Sequence, residues 1–352
     1  MEIESIKLLT YSRFDIIPKI MYTKSRIKSI DSDYFLNVYK SVIWRTSSFS
    51  REKHDFKQYI TSFNLLIDSM NKSGFDKSIS KVPFITLTYN SDLIKDHIHI
   101  CNGVHRTGVS IAMGNKVYLE KVNMISVELS SYINWRNQVP KKILSHMAIE
   151  YSKLKTNTCL IVTYYEKIKD EDLFHNIIHE YGHVVYGNYT ELNKTGTLNL
   201  IKELGLSNEC DLKSFNNSGY FGIRKVYLIE TEHIQELKEE IKEIKTTFIT
   251  TNHKITVDAS KLVFNDNSVD RLNNKISNNT DEIDIILDKF KEDIEETNKD
   301  LDDYCIVGSL PKFLLEQSKE FKMEFVYLKT GYDDIIYDPK NHFYYKGIKF
   351  NI

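Results

Sequence analysis

Apolar positions change period several times along the chain, and each change predicts an element. In residues 1–75 the pattern is mainly helical: in FKQYITSFNLLIDSM, Phe56, Ile60, Phe63, Leu66 and Ile67 recur at helical spacing. Pro83 then opens an extended run, VPFITLTYN, and HIHIC (97–101) alternates with period two. The chain turns at Asn102-Gly103, helical pattern resumes through RTGVSIAMG, and KVYLEKVNMISVELS (116–130) again reads as strand. A second unit is expected from residue 131. In it NTCLIVTYY (157–165) is β-branched and apolar, hence a strand, and EDLFHNIIHEYGHVVYG (171–187) follows as a helix opened by acids that suit its N-terminal dipole. Residues 191–222 are mixed, with Asn-Asn-Ser-Gly at 216–219 marking a loop.

From Ile223 to Val307 there is neither Gly nor Pro. Ile234, Leu237, Ile241, Ile244 and Phe248 step by three and four, as do Ile283, Leu287, Phe290 and Ile294, with Glu, Lys and Asp between them. This predicts two amphipathic helices with coiled-coil seams, a helical arm over about 223–307 that would serve self-association or partner binding. After Pro311, KFLLEQSKEFKMEFVYL reads as helix, and an aromatic tail, HFYYKGIKF, closes the sequence. The fold class expected is α+β, with domains at 1–130 and 131–352.

Composition narrows the class. The 352 residues are 41% hydrophobic and 27% charged, which supplies a sizeable core and excludes disorder or a disulfide-stapled miniprotein. The 47 basic and 49 acidic residues leave a formal charge of -2, which argues against nucleic acid and membrane as partners. Four dispersed cysteines suit a reducing compartment. The acidic start MEIESIKLL and the lack of a long apolar run lead to an expectation of a soluble, cytoplasmic protein, a translocated effector being compatible with the same features.

The sharpest chemical signal is His179-Glu180-Tyr181-Gly182-His183. On a helix, residues four apart share a face, so His179 and His183 would bind one ion. Glu180 leaves the helix at another angle and would take a proton from metal-bound water. That is the chemistry of zinc-dependent peptide hydrolysis. Gly182 leaves room for close backbone approach, and the flanks Ile177, Ile178, Val184 and Val185 are apolar.

HEYGH with these flanks resembles the zincin metallopeptidases of the Glu-third-ligand branch; the extended HExxHxxGxxH signature is absent. The resemblance implies Zn2+, a protein or peptide substrate and a third ligand further along. Three candidates stand: Glu203, 20 residues after His183 as in thermolysin-like enzymes; Glu209, in an Asn-Glu element; and Glu320, in SKEFKMEF, similar to a helix of lethal-factor-like peptidases. Glu320 is favoured, with Glu324 supporting it from one turn on. His175 shares the helix face as a neighbour, and His233 and His253 read as surface residues.

A second signal is Cys101-Asn102-Gly103-Val104-His105-Arg106-Thr107-Gly108: a strand, a tight turn, then a helix. Such a turn aims backbone N–H groups and the positive helix end at one spot, beside an imidazole and a guanidinium. Over roughly residues 10–130 the segment resembles the ParB/sulfiredoxin-like domain. That resemblance implies binding of a nucleotide phosphate, as a nucleoside triphosphate with Mg2+, by Asn102, Gly103, His105, Arg106 and Thr107. Val104 stands where sulfiredoxin has its reactive Cys, so sulfinic-acid repair is not expected. Asn102 stands where many relatives carry Asp, which weakens metal-assisted transfer.

The expected function is thus a zinc-dependent metallopeptidase cleaving a protein by metal-activated water, with an N-terminal nucleotide- or phosphate-binding domain. The alternative is a nucleotide-dependent kinase or nucleotidase of the ParB/sulfiredoxin-like class, its zinc domain structural or degenerate. A third reading is a non-enzymatic ParB-like module that dimerises through the arm.

Overall fold

The computed structural model describes residues 1–30, 33–46, 55–75, 81–89, 93–94, 96–122, 135–164, 171–206, 223–241, 248–274, 281–297, 299–314, 323–327 and 337–352. Helices and strands are mixed throughout, an α+β arrangement. The chain divides into two compact units. Unit 1 comprises Met1–Thr158, His175–Tyr186 and Ile229–Leu237; unit 2 comprises Cys159–Phe174, Gly187–Leu228 and Lys238–Ile352. Residues 131–158, expected with the second domain, belong to unit 1. No helix among the described residues is long and apolar enough to cross a membrane.

Unit 1 is built on a four-stranded sheet of β1 (Glu2–Glu4), β2 (Val82–Leu87), β3 (His97–Ile100) and β4 (Lys116–Lys121), in the order β1-β4-β2-β3. β2 runs parallel to β4, with Val82 opposite Leu119, and antiparallel to β3, with Phe84 opposite Ile100. Alternation places Val82, Phe84, Ile100, Val117 and Leu119 in the core. Three helices follow the N-terminal strand: α1 (Ile17–Ile27), α2 (Asp33–Thr46) and α3 (Phe56–Ser73). In α2, Phe35, Val38, Tyr39, Val42 and Ile43 form the buried stripe. Asp55 caps α3 by accepting from Gln58 N at 2.7 Å. α4 (Val104–Ala112) crosses α1, and Gly108 allows it: a Cβ there would stand 2.8 Å from the Cβ of Lys19. α5 (Lys141–Leu154) completes this part of the unit, burying Leu144, Met147, Ala148 and Tyr151.

The helix expected over 171–187 is shorter. α6 spans Glu171–Tyr181, and His183 already opens a strand. The last helical bond runs from Gly182 N to Ile178 O, and Thr231 Oγ1 donates to Tyr181 O at 2.5 Å, closing the helix. Gly182 is pressed against Glu230; a Cβ would lie 2.6 Å from its carbonyl oxygen. Beyond it, HVVYGNYT is rich in β-branched and aromatic residues, which favour strand over a further helical turn.

Unit 2 contains residues of a sheet ordered β6-β7-β5-β8: β5 (Thr158–Tyr164), β6 (His183–Glu191), β7 (Ile223–Glu230) and β8 (Phe248–Ile249). Between β6 and β7, α7 (Lys194–Glu203) is capped by Asn193, whose side chain accepts from Gly196 N. The expected coiled-coil arm does not form as two long helices. Residues 223–307 are divided among β7, α8 (Ile234–Ile241), β8, α9 (His253–Val263), α10 (Asp266–Asn273), α11 (Asp281–Glu296) and β9 (Tyr304–Gly308), with 242–247, 275–280 and 298 outside the described residues. Lack of Gly and Pro permits a helix without requiring one. Asn252 and Asn265 each start a new helix by accepting backbone N–H bonds from Lys254 and from Ser268, respectively. Phe248 lies in strand, whereas Ile283, Leu287 and Ile294 keep the expected helical stripe in α11.

The helix expected over 312–328 is also corrected. α12 is described over Ser309–Leu314, 315–322 lie outside the described residues, and Met323–Tyr327 forms β10, so Glu324 lies in a strand opposite Val307. The aromatic tail is a hairpin, β11 (His342–Tyr345) and β12 (Ile348–Asn351), in a second sheet ordered β10-β9-β12-β11. Its two-residue turn places Lys346 and Gly347 both at positive φ, 48° and 80°. Ile283 and Leu287 of α11 pack with Phe343, Ile348 and Phe350 in one core.

Candidate functional site

Unit 1 holds a cavity of about 330 Å³ lined by Tyr11, His97, Lys155, Tyr181, His183 and Glu230 among others. Glu230, at the end of β7, is its fixed corner. Its carboxylate accepts from the backbone N of Tyr11 at 2.9 Å and from the Tyr151 hydroxyl at 2.7 Å, and pairs with Lys155 at 2.9 Å. Thus the N-terminal segment, α5 and β7 are tied at one carboxylate. Arg136 adds a second tie, donating to the backbone oxygens of Tyr11 and Val185.

His183 faces this cavity from the start of β6. Its ring stacks on Tyr11 at 4.0 Å between centroids and lies 4.5 Å from Tyr89 and 6.0 Å from His97. Its Nε2 is buried and makes no hydrogen bond. Burial, with His97 adding to it, pushes the His183 imidazole down to about 4. Burial does the same to His97, against the pull of Glu230, and to His99, where Arg13 adds to it; both fall to about 4. All three rings are therefore neutral at physiological pH.

Tyr181 and Gly182 of the HEYGH motif line the cavity beside His183, whereas the first two residues of the motif stand apart from it. His179 and Glu180 are exposed on the last turn of α6 and do not line the cavity. The ring of His179 lies over His175 at 6.3 Å, and the partial burial of an otherwise exposed ring, with His175 adding to it, lowers its pKa. Glu203 is taken up within unit 2: it pairs with Arg271 at 2.5 Å and accepts from Lys346 N at 2.7 Å. Glu209 and Glu320 lie outside the described residues. The i, i+4 helical argument for zinc does not hold, because His183 is past the helix end. Among the described residues no group of three His, Cys, Asp or Glu side chains is placed to hold a metal ion. The favoured third ligand, Glu320, and its alternative Glu209 are not among those residues.

At the Asn-Gly-Val-His-Arg turn, local structure absorbs most of the expected phosphate ligands. Gly103 sits at φ 77° and caps α4; Asn102 Oδ1 accepts its N–H at 2.6 Å, and Thr107 Oγ1 donates to its carbonyl at 3.1 Å. His105 points into an aromatic cage, with Nε2 at 2.8 Å from the Tyr39 hydroxyl and its ring 4.7 Å from Phe63. Burial holds it well below the usual histidine range. Arg106 is half-buried, its guanidinium folded back toward Gly103. Gly108 serves the packing of α4 on α1.

No sequence motif marks Tyr11, Lys155 or Glu230, and His233, expected at the surface, is partly exposed at the cavity's lining. One signal was available: in HIHIC, His97 and His99 occupy one face of a period-two strand. A scan against protein-family models and searches of the curated proteins and of the solved structures each find no match.

Proposed function

We propose that unit 1 is a hydrolase acting on a polar acyl compound, peptide bonds included, with the His183 imidazole as the base that activates water. The supporting observation is that His183, a residue lining the cavity, has a buried Nε2 without a hydrogen-bond partner. A buried polar atom without a partner costs about 1–3 kcal/mol, which a bound water or ligand group would recover. In the step, a water proton passes to Nε2 as the water oxygen bonds to the acyl carbon. The carbonyl electron pair moves onto oxygen; its return expels the leaving group, which receives the proton from His183. Tyr11, stacked on the ring, fixes its orientation. Glu230 holds Tyr11 and Lys155 in place.

This reading keeps the hydrolysis implied by the zincin resemblance and moves the proton acceptor from Glu180 to His183. The two are separable by assay on a fluorogenic peptide library and nitrophenyl esters. His183→Ala should lower kcat about 10²–10⁴-fold, while Glu180→Gln and treatment with a zinc chelator leave the rate within a few-fold. Loss of activity in Glu180→Gln and with chelator, or no hydrolysis of either substrate class by the wild type, overturns the proposal.

A further inference from the structure

From the phenol of Tyr11 a chain of hydrogen bonds leaves the cavity and ends inside unit 1. Tyr11 Oη meets Tyr89 Oη at 2.9 Å, and Tyr89 Oη meets His97 Nδ1 at 2.7 Å. His97 Nε2 meets Ser12 Oγ at 3.1 Å, and Ser12 Oγ meets His99 Nδ1 at 3.0 Å and Thr10 Oγ1 at 3.0 Å. Thr10, Ser12 and His99 are buried. The arrangement follows from local structure. Period two puts His97 and His99 on one face of β3, and the adjacent Tyr11 and Ser12 engage opposite ends of the chain.

Proton accounting restricts its states. Ser12 has one proton to donate and accepts two bonds, yet it has three partners. Whichever partner takes its proton, at least one of the two imidazoles must donate an N–H to Ser12. His97 is neutral and carries a single ring proton, so its two bonds run in opposite senses. If Nε2–H donates to Ser12, then Nδ1 accepts from Tyr89, Tyr89 accepts from Tyr11, and Tyr11 turns a lone pair to the cavity. If Ser12 donates to Nε2 instead, then Nδ1–H donates to Tyr89, the Tyr89 O–H is released to donate to Tyr11, and Tyr11 can turn its own O–H to the cavity.

We infer that the tautomer of His97, positioned by Ser12, sets whether Tyr11 meets a ligand as donor or acceptor, and that a ligand oxygen draws the donor state. The inference deepens the proposed hydrolase and takes the nature of its ligand from that reading. An acyl oxygen gains negative charge during attack, and a Tyr11 O–H already turned toward it stabilises that charge without reorganisation. Tyr89, His97 and Ser12 act through Tyr11, as positioning residues.

The test is nuclear magnetic resonance on the full chain at pH 7, with imidazole nitrogens and tyrosine Cζ labelled. In the wild type at least one of His97 Nε2 and His99 Nδ1 carries a proton; finding both bare overturns the inference without any variant. Ser12→Ala should move the Tyr11 Cζ resonance, and in a Tyr89→Phe background the same substitution should leave it in place. No movement in the first case, or equal movement in both, overturns the coupling. Acetate, as the probe for a carboxyl oxygen, should shift His97 toward Nδ1–H; an unmoved tautomer removes the ligand half of the inference. Failure here with hydrolysis intact counts against the chain alone. An intact chain without hydrolysis counts against the enzyme alone.

Discussion

Asp15 shows how one residue is held ionised in the interior of unit 1. Burial alone would raise its carboxyl, but Arg13 at 2.9 Å and Lys19 at 3.1 Å outweigh that and hold it at about 2. Lys19 is correspondingly pushed down by burial to about 8, with Asp15 opposing the shift. The sign of the linkage follows. The unfolded chain binds the Asp15 proton near 3.8 and the folded chain near 2, so the unfolded state holds more protons in that window. Asp15 therefore contributes about 2 kcal/mol of stability above pH 4 that is lost as the pH falls toward 2. Carboxyl carbon titration should place the Asp15 midpoint near 2, and urea unfolding should show the matching loss of stability between pH 4 and 2. An ordinary carboxylate midpoint would refute the ion cluster.

Elements were readable in the sequence where periodicity and punctuation agreed, and obscure where they did not. The strand, Gly turn and helix of β3 to α4 follow from alternation, Asn102-Gly103 and the Gly108 contact. That contact is testable: Gly108→Ala would drive a methyl against the Cβ of Lys19 on α1, 2.8 Å away, and should destabilise by about 1–3 kcal/mol in chemical unfolding. By contrast, the HEYGH helix is shorter than its sequence pattern because Val184 and Val185 satisfy a helical face and a strand equally. The tertiary contact of Gly182 with Glu230, far along the chain, decides between them. The arm differs from its sequence pattern for a related reason. Stepping by three and four suits α8 and α11 separately, but Asn caps within the run restart the chain. Of the candidate site, the sequence points to His183 through a helical i, i+4 pairing that the strand start at His183 replaces, with Glu320 outside the described residues; Tyr11 and Glu230 carry no local motif.

Chain crossing limits what can be cut from the whole molecule. Unit 1 is a long N-terminal segment to which two later pieces return, His175–Tyr186 and Ile229–Leu237. The returning pieces are structural: Val185, Ile229 and Leu237 are fully buried, and Glu230 bonds to Tyr11, Tyr151 and Lys155. A fragment of residues 1–130 would lack these pieces and α5, whose Met147, Ala148 and Tyr151 are fully buried. Phe14 would lose its ring contact with Tyr151, 5.9 Å between centroids, and Arg136, whose guanidinium lies 4.9 Å over Phe14. Burying a large apolar side chain contributes about 1.5–3 kcal/mol, and a domain's net stability is only about 5–15 kcal/mol. Losing several such contacts at once exceeds that margin. The 1–130 fragment should therefore show no cooperative thermal transition and a collapsed amide spectrum, while the full chain unfolds cooperatively. A folded, dispersed 1–130 fragment would mean that the N-terminal sheet and its helices are self-sufficient, and that the site at His183 was added to a domain already complete.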